Sequence, residues 1–231
     1  MARIVKKAEE RRNEILTKAQ ELFYINGYNN TSVNMVIEAL GISKGAFYHY
    51  FKSKEELLDC LSNTLTKEMK YNLLAVVADP DLNAIEKLNK LYYVSGSYKV
   101  ENIEFIMTLT EALYKEDNLL LRHKFQRKSI EDFVPLMAAI FQQGKDEGVF
   151  VIEKPKVMAR TVLLFGSSIA EYNAKLLLQL KEHPEKLNEI YDHFNIYERS
   201  VERMLNAPDG SVVAFDKQFF EAFGNFLEGT E

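Results

Sequence analysis

Residues 31–56 read TSVNMVIEALGISKGAFYHYFKSKEE, and their spacing predicts two short helices joined by a glycine turn, then the capped start of a third. Thr31 or Ser32 is placed to cap the first helix, whose Val33, Val36, Ile37 and Leu40 share one face at helical spacing. Gly41 permits the sharp turn, Ile42 plugs it, and Ser43 caps the second helix. Such a helix-turn-helix offers its second helix to the major groove of DNA.

The faces of that second helix support the reading. At about 100° per residue, Phe47 and Phe51 fall together and point inward. Gly45 and His49 then lie on the opposite side with Ala46 beside them, and Tyr48 and Tyr50 flank that outer face, where phenol hydroxyls reach toward phosphates. A helix with a glycine and several exposed aromatics is a poor choice for stability alone; close backbone approach to a groove explains it better. Ser53 and Glu56 predict a capping box for the next helix. Lys54 sits at that helix start, where the helix dipole disfavours a cation but a phosphate would welcome one.

At these residues the chain resembles the TetR family of bacterial transcriptional regulators. SKGAFYHYFKSKEEL, from Ser43 to Leu57, is similar to that family's recognition helix and its junction to the fourth helix, and the likeness extends through Thr31 and Gly27-Tyr28 to the first helix, over roughly residues 8 to 58. The resemblance implies a three-helix DNA-binding domain, a helical ligand-binding domain and a homodimer. Carried over by position, Ser32, Lys44, Tyr48, Tyr50 and Lys54 match mainly places that contact the DNA backbone, and Gly45, Ala46 and His49 match places that meet base edges. Ser32 departs from a common threonine while keeping the hydroxyl. His49 stands where another aromatic is frequent, so no base preference transfers from a relative.

The wider chain sets bounds. Its 231 residues are enough to bury a sizeable core in one large or two smaller domains. Hydrophobic content of 47% and charged content of 27% are ordinary for a soluble globular protein. The single cysteine, Cys60, rules out an internal disulfide framework and fits a reducing, cytoplasmic setting; its apolar neighbours predict a structural thiol. The N-terminus is charged and has no signal-peptide core, and the longest apolar run, from Thr161 to Phe165 and onward, is too short for a membrane span. The net charge of −5 is unevenly spread: nine basic against five acidic residues through Lys54 give +4, leaving −9 on the remainder. A basic head on an acidic body fits phosphate binding by one end only.

Periodicity predicts an all-α chain. The first helix is expected at 8–26, with Ile15, Leu16, Ala19, Leu22 and Phe23 on one face and Gly27 at its end. Further helices are expected at about 54–77, 82–96, 102–115, 118–146, 155–180, 184–205 and 216–227. Pro135 is expected to kink or divide the helix at 118–146, and Pro155 suits the first turn of the next. The domains are read as 1–53, the helix-turn-helix head, and 54–231, a larger helical body for ligand binding and dimerisation. A second, weaker likeness to TetR-type ligand domains runs from Phe141 to Ala170, around QQGKDEGVFVIEKP, and bears on architecture.

In the body, the helices at 156–180 and 184–205 carry apolar surface broader than one core-facing stripe. Val162, Phe165, Gly166 and Ile169 on the first, with Tyr191, Phe194 and Val201 on the second, are the candidates for a four-helix bundle across a twofold axis; the plainer alternative is that both helices complete the monomer core. Tyr92, Phe105, Met107, Tyr114, Phe133 and Met137 are candidates to line a pocket for an apolar or aromatic ligand. His183 and His193 lack the spacing of paired helical ligands, so no metal site is expected, nor any cofactor, nucleotide loop or catalytic constellation. The sequence thus points to a non-enzymatic, ligand-responsive transcriptional regulator, a homodimeric repressor on a pseudo-palindromic operator, its partners being double-stranded DNA and a small-molecule effector, with no membrane. The competing expectation is a small-molecule carrier or helical enzyme that keeps the head as a scaffold; the basic head and its groove-facing residues weigh against it.

Overall fold

The computed structural model describes residues 2–114 and 118–215, so the helix expected at 216–227 lies outside the described residues. Nine helices are described: α1 (Ala2–Asn30), α2 (Val33–Leu40), α3 (Lys44–Tyr50), α4 (Lys54–Ala78), α5 (Ala84–Glu101), α6 (Ile103–Leu113), α7 (Leu119–Asp146), α8 (Pro155–Leu177) and α9 (Lys186–Leu205). No strand occurs among the described residues, and no helix among them is long and apolar enough to cross a membrane.

Two compact units divide the chain, one made of residues 1–66 and 104–125 and the other of 67–103 and 126–231. This differs from the expected boundary at 53/54. That boundary falls at the start of α4, whereas the compact division falls inside α4 and returns α6 to the head. The reason is packing: Phe105, Leu109, Ala112 and Leu113 of α6 join Ile15, Ala19, Phe23, Phe47, Phe51, Leu57 and Leu58 in one buried cluster. Short helices such as α2 and α3 do not persist alone, so this cluster is what holds them. Full burial of Phe47 and Phe51 contributes roughly 1.5–3 kcal/mol each; truncating either to alanine is expected to cost about 3–5 kcal/mol.

The second unit has its own core, with Leu73 from α4, Leu88 and Tyr92 from α5, Met137 and Phe141 from α7, Val162 from α8 and Val201 and Leu205 from α9. α5 starts at Ala84, where Asn83 and Glu86 cap each other, and runs past its expected end through Ser95-Gly96-Ser97 to Glu101. Pro135 does not divide α7, which continues through it. Pro135 and Glu131 are exposed, so the Glu131 carbonyl that loses its helical donor stays within reach of water. Past α9, residues 211–215 are held by side chains: Glu202 accepts from the Val212 N–H at 3.0 Å, Glu198 from the Ala214 N–H at 2.7 Å, and Asn89 of α5 from the Val213 N–H at 3.0 Å. Burial raises the Glu198 pKa above the usual carboxylate range, Glu202 adding to the effect, while the Ala214 and Phe215 N–H groups oppose it.

Candidate nucleic-acid interface

The turn between α2 and α3 is built from local chemistry. Ser32 caps α2, its hydroxyl oxygen accepting from the Met35 N–H at 3.2 Å. Thr31 instead ties α1 to α2: it is buried and donates to the carbonyls of Leu22 at 3.0 Å and Gly27 at 2.9 Å. Gly41 adopts φ 61°, the left-handed region, and its N–H closes α2 on Glu38; an L-residue there is strained. Ser43 caps α3, accepting from Ala46 N–H at 3.1 Å. Glu56 N–H donates to Ser53 Oγ at 3.2 Å, but the Glu56 carboxylate accepts from Lys52 N–H at 2.6 Å, so the expected capping box closes one residue earlier.

These turns leave α3 with one face buried and the other bare. Phe47 and Phe51 are buried, whereas Lys44, Gly45, Tyr48 and His49 are exposed and Ala46 is half-buried. Ser32 is exposed beside them with its hydroxyl proton still available, since the cap uses the oxygen. Tyr50 is only partly exposed and packs against the head core, and its ring meets His49 edge-on with centroids 4.9 Å apart. Tyr50 therefore steadies His49 as well as flanking the outer face. An extended stack of bare polar and small groups on one turn of helix is suited to a groove.

Lys54 is placed differently from its expectation. Its ammonium donates to the carbonyls of Tyr28 at 2.8 Å and Asn29 at 3.4 Å and lies 4.3 Å from the Tyr28 ring centroid. It fastens the start of α4 to the end of α1, and with it the base of the helix-turn-helix. Cys60 also fits a structural part. Arg12, stacked over Phe51 at 5.0 Å, donates to its sulfur at 3.0 Å, and burial pushes the thiol pKa up, away from reactivity.

The other candidate residues are distributed by the two units. Of the pocket set, Tyr92, Phe133 and Met137 lie in or against the core of the second unit, while Phe105, Met107 and Tyr114 belong to the first. Phe105 is buried there, edge-on to Tyr24 with centroids 5.8 Å apart. Of the dimer set, Val162 and Val201 have 0% exposure within a single chain, so a second chain does not reach them. Phe165 stacks on Tyr197 at 5.6 Å, Gly166 faces the same tyrosine, and Ile169 packs on the core. Phe194 is partly buried, and Tyr191 is exposed. The physical reason is that α8 and α9 first bury their broad apolar faces on each other. What remains outside is a stripe on α8, Val157, Thr161, Leu164, Ser168 and Tyr172, together with Tyr191 and Ile196 on α9. The α8 stripe has helical spacing that sequence alone shows; what sequence does not show is which of two apolar faces the chain itself covers.

Comparison with known proteins agrees with the geometry. The family model for bacterial regulatory proteins of the tetR family matches residues 15–61, from the middle of α1 through α3 into α4. The HTH-type transcriptional repressor KstR2 of Mycobacterium tuberculosis is 28% identical over 160 residues, 65% of this chain and 74% of that one. The HTH-type transcriptional regulator YhgD of Bacillus subtilis is 30% identical over 134 residues, 53% of this chain and 69% of the relative. The crystal structure of a TetR/AcrR-family transcriptional regulator from Thermobifida fusca aligns with a TM-score of 0.53 at 25% identity, covering 72% of this chain and 85% of that one. A TetR-family regulator from Pectobacterium atrosepticum shares the fold, with a TM-score of 0.61 at 18% identity over 88% of this chain and 98% of its own. The helix-turn-helix with its bare recognition face and these likenesses lead to one conclusion: the chain belongs to the TetR family of bacterial transcriptional regulators.

Proposed function

We propose that the protein is a homodimeric repressor that sits on a pseudo-palindromic operator and is released by a small apolar or aromatic effector. The observation that carries this reading is α3, which turns Lys44, Gly45, Tyr48 and His49 outward while anchoring itself through Phe47 and Phe51. Lys44, Tyr48 and the Ser32 hydroxyl serve phosphates; Gly45, Ala46 and His49 face base edges. Lys54 acts by holding the α1–α2 junction. The repressor sense draws on the likeness to KstR2, itself a repressor. The apolar stripe on α8, with Tyr191 and Ile196 of α9, is the surface by which two chains pair, setting two copies of α3 into successive major grooves about 34–36 Å apart or a multiple of that spacing. The effector occupies the second unit, near Tyr92, Phe133 and Met137. Selection of bound fragments from the source genome tests the operator part. The expected result is enrichment of an inverted repeat by the native chain and a relaxed base preference at one position of each half-site with His49→Ala; recovery of unrelated fragments by both would refute it.

A further inference from the structure

The buried face of α5 changes character along its length. Leu88, Leu91 and Tyr92 fill the core of the second unit, and the next turns of that face carry Ser95, Gly96 and Lys99. At about 100° per residue, Lys99 points between the directions of Leu88 and Tyr92, the middle of the inward face. Ser95 lies on the same line. Leu88 is fully buried, but Ser95 and Lys99 each keep partial exposure. Where large apolar side chains would close the core, the helix supplies two small residues and a cation.

That cation lacks an acceptor. Among the described residues, no oxygen lies within hydrogen-bond or ion-pair distance of the Lys99 ammonium. The other inward lysine of α5 shows the contrast: Lys87 is buried and donates to the Val77 carbonyl at 2.9 Å and to Gln143 Oε1 at 2.8 Å. Carboxylates on the flanking helices are already engaged, Glu68 of α4 accepting from the Tyr98 hydroxyl at 2.6 Å and Asp132 of α7 pairing with Lys70 at 3.0 Å. Burial alone accounts for the lowered pKa of Lys99, with no neighbouring charge holding it up. A partly buried cation with no protein partner among the described residues is costly to keep and adds nothing to the core.

We propose that Lys99 is the anion-recognition point of the effector site, and that the effector is an organic acid with an apolar body and a carboxylate. The carboxylate supplies the acceptor that the ammonium lacks, through a charge-assisted hydrogen bond in a site of low dielectric. The apolar body lies along the same face toward Tyr92, whose hydroxyl meets that of Tyr197 at 3.0 Å beneath the stacked Phe165 ring. An uncharged ligand of the same shape leaves the ammonium unpaired, so selectivity follows from the site itself. This inference rests on the effector reading proposed above.

The test measures binding of octanoate, 1-octanol, 4-phenylbutyrate and 4-phenylbutanol to the full chain without DNA, by calorimetry at neutral pH. For at least one matched pair the acid is expected to bind on the order of 10- to 100-fold more tightly than the alcohol. Lys99→Met should abolish that preference while leaving the alcohol's affinity unchanged or improved, and Lys99→Arg should retain it. Equal binding of acid and alcohol, failure of all four to bind, or an acid preference that survives Lys99→Met overturns the proposal. Operator binding is read separately by the fragment selection, so failure here leaves the DNA-binding part of the function standing.

Discussion

A side chain at position 45 would meet almost nothing in the free chain: a Cβ built there lies 3.9 Å from Ser43 Oγ, with no closer neighbour outside its own helix turn. Gly45→Ala is therefore expected to stabilise the unbound protein by up to about 1 kcal/mol, through helix propensity and a less flexible unfolded state. If α3 approaches the groove through this bare position, the same substitution weakens operator binding. A raised melting temperature with reduced DNA affinity is the expected pair of results; unchanged affinity would move Gly45 away from the DNA. Gly41→Ala separates strain from contact, since its added Cβ also meets nothing within 4 Å but its φ of 61° disfavours any L-residue. It should cost roughly 1–2 kcal/mol in a denaturation series. In the proposed complex Lys44 serves phosphate and His49 a base edge. Lys44→Ala should weaken all sequences alike and lower the salt slope by about one unit per chain, whereas His49→Ala should relax preference at one base pair of each half-site. A uniform loss from His49→Ala would transfer it to the phosphate group. Most of this was legible in the sequence, because caps, turn glycines and a four-residue spacing between phenylalanines are local signals. Lys54 was not: its partners are backbone carbonyls 25 and 26 residues away, and sequence spacing carries no trace of them.

Among the elements, α8 shows what periodicity leaves open. Its apolar residues outnumber what one core face needs, which is readable from sequence, but Val162 is buried and Gly166 turns toward Tyr197 of the chain's own α9 while Val157 and Leu164 stay exposed. The two faces are alike in composition, and only the packed partner tells them apart. Two substitutions two residues apart then separate fold from assembly. Gly166→Ala places a Cβ 3.1 Å from the Tyr197 hydroxyl and 3.3 Å from its ring; the tyrosine must shift, at a cost of about 1–3 kcal/mol, with assembly intact. Leu164→Glu alters a side chain that is 50% exposed, so the monomer should melt as before while sedimentation shows a loss of dimer. Operator affinity should fall with it, each chain alone making half the contacts. A Leu164→Glu variant that sediments as a dimer would place the interface on another surface. The same limit explains α6. Its helical character was legible, but not that Phe105, Leu109 and Leu113 complete the core of the first compact unit.

In the whole molecule, α4 and α7 are the helices that continue substantially from one compact unit into the other. α4 begins at Lys54, against the base of the helix-turn-helix, and supplies Leu57 and Leu58 to the first core and Leu73 to the second. Under the proposed function, a ligand that favours one placement of α4 would bias the head without any helix having to melt. Such coupling has a ceiling, the ligand's differential affinity for the two states, and it is reciprocal: operator must weaken effector binding by the factor by which effector weakens operator binding. Factors of about 5- to 150-fold are the ordinary range for coupled sites. The decisive measurement is the dissociation constant of an effector, titrated into the full chain with and without saturating operator from the genomic selection. The account predicts that operator raises that constant, by the same factor that the effector lowers operator affinity. An effector bound equally tightly in both titrations would contradict it.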